Sequence, residues 1–184
     1  MDFRPLSLDL LESTREEWSR QVKSINQDED IVLPTNYERV VDWAEKTVES
    51  EDEIYARPHG VTSELDSEPD YAKALLKLTY AHNRNPAYVK LLEIHLEPKL
   101  DLEGREQIDF SDRKGARRVV SNALVNSLKL TFADLPSSKL KVYGRTEQMK
   151  SFFDLIIGNL EEDGLLPDGL DIERQGSWLV FDRS

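Results

Sequence analysis

The stretch that most constrains the fold is AYVKLLEIHLEP, residues 87–98, whose side chains change character with a period of two. A period of two indicates a β-strand, because successive side chains of a strand point to opposite faces of the sheet. One set is apolar, namely Tyr88, Leu92, Ile94 and Leu96. The other set begins apolar and turns acidic, namely Val89, Leu91, Glu93, His95 and Glu97. We therefore predict a central strand over 87–97, packed by the helix that follows it in the chain.

Four segments have apolar residues at the three- and four-residue spacing of an amphipathic helix. They are residues 9–26, 37–50, 116–131 and 146–160. Side chains that favour the start of a helix stand before or at the start of three of them: Ser7 or Asp9, Thr35 or Asn36, and Thr146. Trp18, Trp43 and Trp178 fall in apolar patterns, so we predict that all three belong to the core.

Shorter segments have strand character. Residues 53–58 and 60–65 are predicted as two short strands or a hairpin, and 71–81 as a longer strand. Residues 138–144 and two pieces joined near Gln175 and Gly176 complete the set. Because strands and helices alternate in the second half, we expect an α/β fold with a mixed sheet covered by helices, built as a single domain over 1–184.

Composition excludes several classes of function. The chain has 36 acidic and 24 basic residues, and its formal charge of -12 opposes general attraction to nucleic acid or to anionic membranes. The absence of cysteine excludes disulfides, thiolate catalysis and cysteine-bound zinc. The three histidines have no metal-ligand spacing, so no metal site is predicted. MDFRPLSLDL lacks the segments of a secretory signal, and no apolar run reaches about 18 residues, so we expect a cytoplasmic protein without a membrane partner.

The order of elements resembles that of the GNAT-type N-acetyltransferases. Leu96-Glu97-Pro98 resembles the apolar-x-Pro that ends the family's fourth strand. KVYGRTEQMKSFFDLIIG resembles the fifth strand and fourth helix, and GSWLVFDR resembles a final strand. The resemblance implies a GNAT-like mixed, mostly antiparallel sheet flanked by helices. It also implies an acyl-CoA-dependent N-acyltransferase that uses acetyl-CoA and an amine acceptor.

In that family the loop after the fourth strand has the form Gln/Arg-x-x-Gly-x-Gly/Ala, and its backbone N–H groups hold the pyrophosphate of acetyl-CoA at a helix start. The first turn of a helix has unpaired N–H donors at the positive end of its dipole, which suits a phosphate. Gly115 matches the first glycine, whereas Asp112 and Arg117 depart from the pattern. Sixteen residues, 99–114, separate Pro98 from Gly115. The pyrophosphate loop is therefore expected to be atypical.

Carried onto this chain, the cofactor contacts fall on Leu96 and on a basic cluster made of Arg113, Lys114, Gly115, Ala116, Arg117 and Arg118. Cations are poorly suited to the positive end of a helix dipole, so a bound anion or an acidic partner would relieve an unfavourable local charge. Three explanations of the basic cluster stay open: binding of an anion or the cofactor, salt bridges to the chain's many acids, and binding of nucleic acid.

Glu93 and His95 are the candidate bases, because a carboxylate or imidazole within hydrogen-bond distance can take the proton of an acceptor amine. The same residues could instead form a solvated or salt-bridged face. Many members of the family protonate the leaving thiolate from a tyrosine in the fourth helix, where this chain has Phe152 and Phe153. Tyr143, at the end of the predicted fifth strand, is the nearest phenol and becomes the candidate acid.

A non-enzymatic function is the alternative. The departures from the family pattern affect the chemistry more than the fold, and fold alone does not carry function. The same scaffold could serve as an acidic interaction or regulatory module that binds another protein. A rise in melting temperature with acyl-CoA would favour the enzyme, because a ligand that binds only the folded state stabilises it.

Overall fold

The computed structural model describes residues 1–26, 35–50, 58–63, 70–101, 114–135 and 137–183. These residues form a seven-stranded sheet in the order β1-β2-β3-β4-β5-β7-β6, with helices on both faces. The elements are β1 Asp2–Pro5, α1 Leu8–Ile25, α2 Tyr37–Glu49, β2 Pro58–Thr62, β3 Ala72–Ala81, β4 Tyr88–Leu96, α3 Lys114–Lys129, β5 Lys139–Tyr143, α4 Glu147–Glu162, β6 Leu170–Gln175 and β7 Trp178–Arg183. Leu130–Asp134 continue α3 as a π-helical turn. All paired strands run antiparallel except β4 and β5, which are parallel.

The sheet separates two apolar cores. Helices α3 and α4 pack on one face in a core that includes Val119, Leu124, Ile156, Val89, Leu91 and Phe181. Helices α1 and α2 pack on the other face in a core that includes Leu11, Trp18, Val41 and Leu75. Strand β3 serves both, because Ala74 and Leu76 belong to the first core and Leu75 between them to the second. No described helix is both long and apolar enough to span a membrane.

Several predictions from the sequence are confirmed. Strand β4 lies in the middle of the sheet and packs against α3, as its alternation predicted. The predicted helix caps are present at Ser7, Asn36 and Thr146, whose side-chain oxygens accept backbone N–H groups three residues ahead. Each cap satisfies a donor that the first turn of the helix leaves unpaired.

The strands near the N-terminus differ from the prediction. Strand β1 was not predicted, and it pairs antiparallel with β2 at one edge of the sheet. Strand β2 is continuous from Pro58 through Gly60, so the predicted break between residues 58 and 60 is wrong, while 53–57 and 64–65 lie outside the described residues. A Cβ on Gly60 would lie 2.7 Å from Cδ2 of Leu6, so the glycine makes room for the segment that joins β1 to α1.

A buried polar network fastens α1 to the turn after β4. The side-chain amide of Gln21, which is 1% exposed, donates to Glu17 at 2.9 Å and to Glu97 at 2.8 Å. Its oxygen accepts the backbone N–H of Lys99 at 3.2 Å, and the hydroxyl of Tyr71 also donates to Glu97, at 2.8 Å. Because buried carboxylates need such partners, the network holds α1 in one position relative to the end of β4.

The stability of the fold in acid should depend on Glu17. Burial raises the pKa of this carboxyl, but hydrogen bonds from Gln21 and Arg20 lower it more, so the net pKa is lowered. A lowered folded pKa adds stability above the ordinary value of 4.5, and that stability is lost as the pH falls through the folded pKa. We expect Glu17→Gln to unfold at lower urea concentration at neutral pH and to lose less stability than the wild type between about pH 5 and 3.

The control for this measurement is Glu16→Gln, because Glu16 is exposed on the same helix. It should match the wild type throughout the pH series. Equal acid sensitivity of all three proteins would contradict the assignment to Glu17.

Candidate functional site

The pairing between β4 and β5 stops before β4 itself ends. Within these two described strands, the parallel ladder ends where Leu91 meets Val142. Strand β5 ends one residue later, at Tyr143, whereas β4 runs on to Leu96. The carboxyl-terminal half of β4 therefore has no described β5 residue paired beside it, and we call this unpaired stretch the opening. Helix α3 lies on one face of the sheet here and α2 on the other.

A bulge in β4 lies at the start of this opening. In the ladder with β3, Lys77 pairs with Glu93 and Leu78 pairs with Leu91, so Leu92 is an extra residue. An extra residue of this kind bends its strand and increases the local twist. The bulge thus bends β4 at the place where its pairing with β5 ends.

The bulge also exchanges the faces of the strand. Val89 and Leu91 belong to the core under α3 and α4, and Ile94 and Leu96 beyond the bulge pack against that same core. The predicted grouping of Val89 and Leu91 with Glu93 is therefore wrong. Unbroken alternation would require it, and the bulge at Leu92 breaks the alternation.

The candidate bases lie together on the face that carries α2. Nε2 of His95 is 2.8 Å from Oε2 of Glu93, and Nζ of Lys77 is 3.8 Å from Oε1 of Glu93. The ring of Trp43, from α2, lies over this group, with its centroid 5.2 Å from Nζ of Lys77 and 6.5 Å from the ring of His95. We call Glu93, His95, Lys77 and Trp43 the carboxylate cluster. Glu97, which the sequence places on the same face, is instead buried in the network with Gln21.

The carboxylate cluster can exchange protons with a bound molecule. The side chain of Glu93 is 49% exposed, so it can be approached from solvent, whereas that of His95 is 22% exposed. One carboxylate oxygen is held by the imidazole, and the other has, among the described residues, only the more distant ammonium of Lys77 beside it. A carboxylate that is oriented on one side and open on the other is suited to act as a general base.

Helix α3 begins inside the basic cluster rather than after it. Its first residue is Lys114, whose side chain is exposed, as is that of Arg118, while Arg117 is half-buried and Ala116 is buried. Among the described residues, no carboxylate lies within 4.0 Å of these three cations. The salt-bridge explanation of the basic cluster therefore has no support in this part of the chain. Arg113, also predicted to contact the cofactor, lies outside the described residues.

Gly115 allows α3 to start close to the end of β4. A Cβ at this position would lie 2.8 Å from Cδ2 of Leu100. Leu100 follows β4 in a turn in which its own N–H and that of Asp101 both donate to the carbonyl of Glu97, each at 2.9 Å. The missing Cβ is thus used for packing between the turn and the helix, and it brings the first turn of α3 beside the opening.

The aromatic residues near the opening divide between the two faces. Phe153 is buried in the core under α4, and Phe152 packs against that core. Tyr143 is half-buried on the opposite face, where its ring centroid lies 5.0 Å from that of Trp178. Among the described residues, no hydrogen bond joins Tyr143 to the carboxylate cluster. The structure thus brings Glu93 and His95 together and leaves the candidate acid separate from them.

Two members of the carboxylate cluster were not predicted as site residues. Lys77 reaches Glu93 because the two are paired across β3 and β4, a register that depends on the bulge. Its only signal in the sequence is a polar position within the apolar run 71–81. Trp43 and Trp178 were predicted in the core; both are half-buried, and Trp43 packs against the core under α1 and α2. The prediction for Trp18 is confirmed.

Nearly the whole chain aligns with solved protein structures. It aligns with the crystal structure of AtaTR bound with acetyl-CoA at a TM-score of 0.53 and 11% identity, over 99% of this chain and 92% of that chain. It aligns with a spermidine N-acetyltransferase SpeG chimera, from Vibrio cholerae and hSSAT, at a TM-score of 0.46 and 14% identity, over 98% of this chain and 93% of that chain. No protein-family profile matches the chain, and no curated protein matches it in sequence.

The likeness to the AtaTR structure concerns the fold. Together with the sheet order and the single parallel pair β4–β5, it shows that the chain has the GNAT-type fold, a mixed and mostly antiparallel sheet flanked by helices. The fold class predicted from the sequence is therefore confirmed.

Proposed function

We propose that the protein is an acyl-CoA-dependent N-acyltransferase with an atypical pyrophosphate loop, built as one domain over residues 1–184. The observation that carries the proposal is the meeting of three features at the end of β4. These are the opening toward β5, the paired Glu93 and His95, and the cationic start of α3. The fold is that of a protein solved with acetyl-CoA bound, which supports the same class of cofactor here.

The start of α3 fits a pyrophosphate through charge and backbone donors. Lys114, Arg117 and Arg118 would supply positive charge, and the first-turn N–H groups have no acceptor within the helix. The fit does not depend on a glycine cradle, because the space beside Gly115 is taken by a leucine side chain. Leu96, next to the opening, would contact the apolar part of the cofactor. When bound, acetyl-CoA supplies an acyl thioester that an amine can attack.

The carboxylate cluster would prepare the acceptor amine. Glu93 would take a proton from the amine nitrogen, either directly or through one water molecule. His95 would hold the Glu93 carboxylate in position by its 2.8 Å contact and could receive the proton in turn. Tyr143 would supply the proton that the leaving sulfur needs, because Phe152 and Phe153 carry no exchangeable proton.

Titration calorimetry with acetyl-CoA tests this proposal. We expect saturable binding to the wild type, and roughly tenfold weaker binding to Arg117→Ala, because a charge-assisted hydrogen bond to a phosphate is lost. Arg117 is a better target than Gly115. A side chain at Gly115 would displace the side chain of Leu100, so a loss of affinity there would mix a packing change with a lost cofactor contact.

The matched control is Lys129→Ala, which removes one exposed cation from the opposite end of the same helix. Its affinity for acetyl-CoA should equal that of the wild type. If the wild type gives no heat at high acetyl-CoA concentration, the enzyme proposal fails, and a non-enzymatic interaction module on this scaffold takes its place. Equal losses in the two variants would show that only the overall charge of α3 matters.

A further inference from the structure

Two lysines lie side by side on the open face of the sheet. Lys90 of β4 and Lys141 of β5 are directly paired in the parallel ladder. Both point away from the core under α3 and α4, because their neighbours Leu91 and Val142 belong to that core. They therefore share the face that carries the carboxylate cluster. Like charges directly opposite each other on neighbouring strands destabilise a sheet, so a nearby negative charge would stabilise this pair.

The acidic residues nearby do not provide that negative charge. Lys139 forms an ion pair with Asp182, and Lys77 has Glu93 at 3.8 Å. By contrast, no carboxylate in the described part of the chain lies within 4.0 Å of Lys90 or Lys141. The chain has 36 acidic residues and a formal charge of -12, so two adjacent lysines that have no acidic partner among the described residues are unexpected.

Aromatic rings lie near the two ammonium groups instead. Nζ of Lys90 lies 5.4 Å from the ring centroid of Tyr88 and 5.7 Å from that of Trp178, and Nζ of Lys141 lies 4.9 Å from the ring of Tyr88. Rings attract a cation but carry no net charge, so the local excess of two positive charges persists. They also reduce the access of water, which strengthens any interaction with an anion.

We propose that Lys90 and Lys141 bind a phosphate group carried by the acceptor, so that the acceptors are small amines that bear a phosphate monoester. A phosphate monoester carries a charge of about -1.5 to -2 at neutral pH, which matches two adjacent ammonium groups. The amine part of this inference rests on the proposed function. The phosphate part rests on the paired lysines alone.

The position of the pair relative to Glu93 suits a small molecule. Glu93 follows Lys90 by three residues on the same face of β4, which corresponds to about 10 Å or less along a strand. An amine a few bonds from its phosphate could therefore reach the carboxylate while the lysines hold the phosphate. Polyamines would be repelled by the same lysines, and the net charge of -12 opposes long nucleic acids.

The test is the binding of O-phosphoethanolamine to the full-length protein, measured by calorimetry at low ionic strength and without acyl-CoA. We expect saturable binding that weakens with added salt, roughly tenfold weaker binding for Lys90→Gln and for Lys141→Gln, and near wild-type binding for Lys141→Arg. Lys129→Gln, an exposed lysine on α3, should bind as the wild type does. Ethanolamine and spermidine should bind at least tenfold more weakly than O-phosphoethanolamine. The melting temperature of each variant verifies that it is folded.

The possible outcomes separate this inference from the proposed function. Absence of saturable binding, or equal affinities of the wild type and both folded glutamine variants, would overturn the phosphate site. Tighter, lysine-dependent binding of a short single-stranded RNA would also overturn it, because the partner would then be a nucleic acid. If O-phosphoethanolamine binds as expected but no amine releases thiol from acetyl-CoA, the phosphate site stands and the proposed activity fails.

Discussion

Replacing Glu93 by glutamine should lower turnover by about 10²- to 10⁴-fold in a thiol-release assay with acetyl-CoA and an acceptor amine, which is the usual contribution of a general base. Glutamine keeps the size of the side chain and can still bond to His95, but it cannot take a proton. The affinity for acetyl-CoA should stay the same, because Glu93 and the start of α3 face opposite sides of the sheet. A loss in kcat with an unchanged cofactor affinity would identify a proton-transfer role.

The control for this experiment is Glu12→Gln, which removes an exposed carboxylate from α1. Its turnover should equal that of the wild type. His95→Asn should retain more activity than Glu93→Gln, because His95 orients the carboxylate and need not itself touch the amine. Wild-type turnover in Glu93→Gln would place the base elsewhere and reduce the carboxylate cluster to a surface ion pair.

The local features of the fold could be predicted because each depends on residues that are close together in the sequence. Apolar and polar residues alternate on each side of Leu92 in β4, and the four helices have apolar faces. Three of the helices also have caps whose hydrogen bonds span three residues. Strand β1 has neither signal: it is four residues long, it lies at the edge of the sheet, and it exists through pairing with β2. Its partner β2 lies far along the chain, so the residues around 2–5 do not reveal the pairing.

The candidate site could be predicted only where its members are close in sequence. Glu93 and His95 are two residues apart on one strand, so they meet whatever the rest of the fold does. Lys77 joins them through the register of β3 with β4, which shifts by one residue at the bulge at Leu92. Lys90 lies beside Lys141 for the same kind of reason, because the pairing of β4 with β5 brings together residues that are 51 apart in the chain.

The position at which α3 starts changes the interpretation of the basic cluster, because it decides which of the basic residues belong to the helix. If the helix began at residue 116, three of the six residues would precede or cap its first turn. Because α3 includes Lys114, Arg117 and Arg118 stand within its first turns. The unpaired N–H groups of the first turn and the side chains of Arg117 and Arg118 therefore lie at the same end of the helix, which favours a compact anion over an extended one.

Replacing Trp18 by alanine should be the most destabilising single change on the side of the sheet covered by α1 and α2. Trp18 is 1% exposed, its indole N–H donates to the carbonyl of Ala72 at 2.9 Å, and its ring meets that of Tyr37 edge-on at 5.7 Å. Truncation would leave a cavity and an unpaired carbonyl, which together cost about 3–5 kcal/mol. Urea unfolding followed by circular dichroism measures the loss.

Trp43→Ala provides the matched comparison, because Trp43 is the same residue type on α2 but is only half-buried. It removes less buried area and leaves no unpaired carbonyl, so its cost should be less than half that of Trp18→Ala. Its effect should appear in turnover instead, because the ring lies over Lys77 and beside His95 in the carboxylate cluster. Equal destabilisation by the two variants would mean that Trp43 belongs to the core after all, and that the indole bond of Trp18 adds nothing. The predicted pattern, stability lost at Trp18 and activity lost at Trp43, would separate the residue that fixes α1 on the sheet from the residue that shapes the acceptor side.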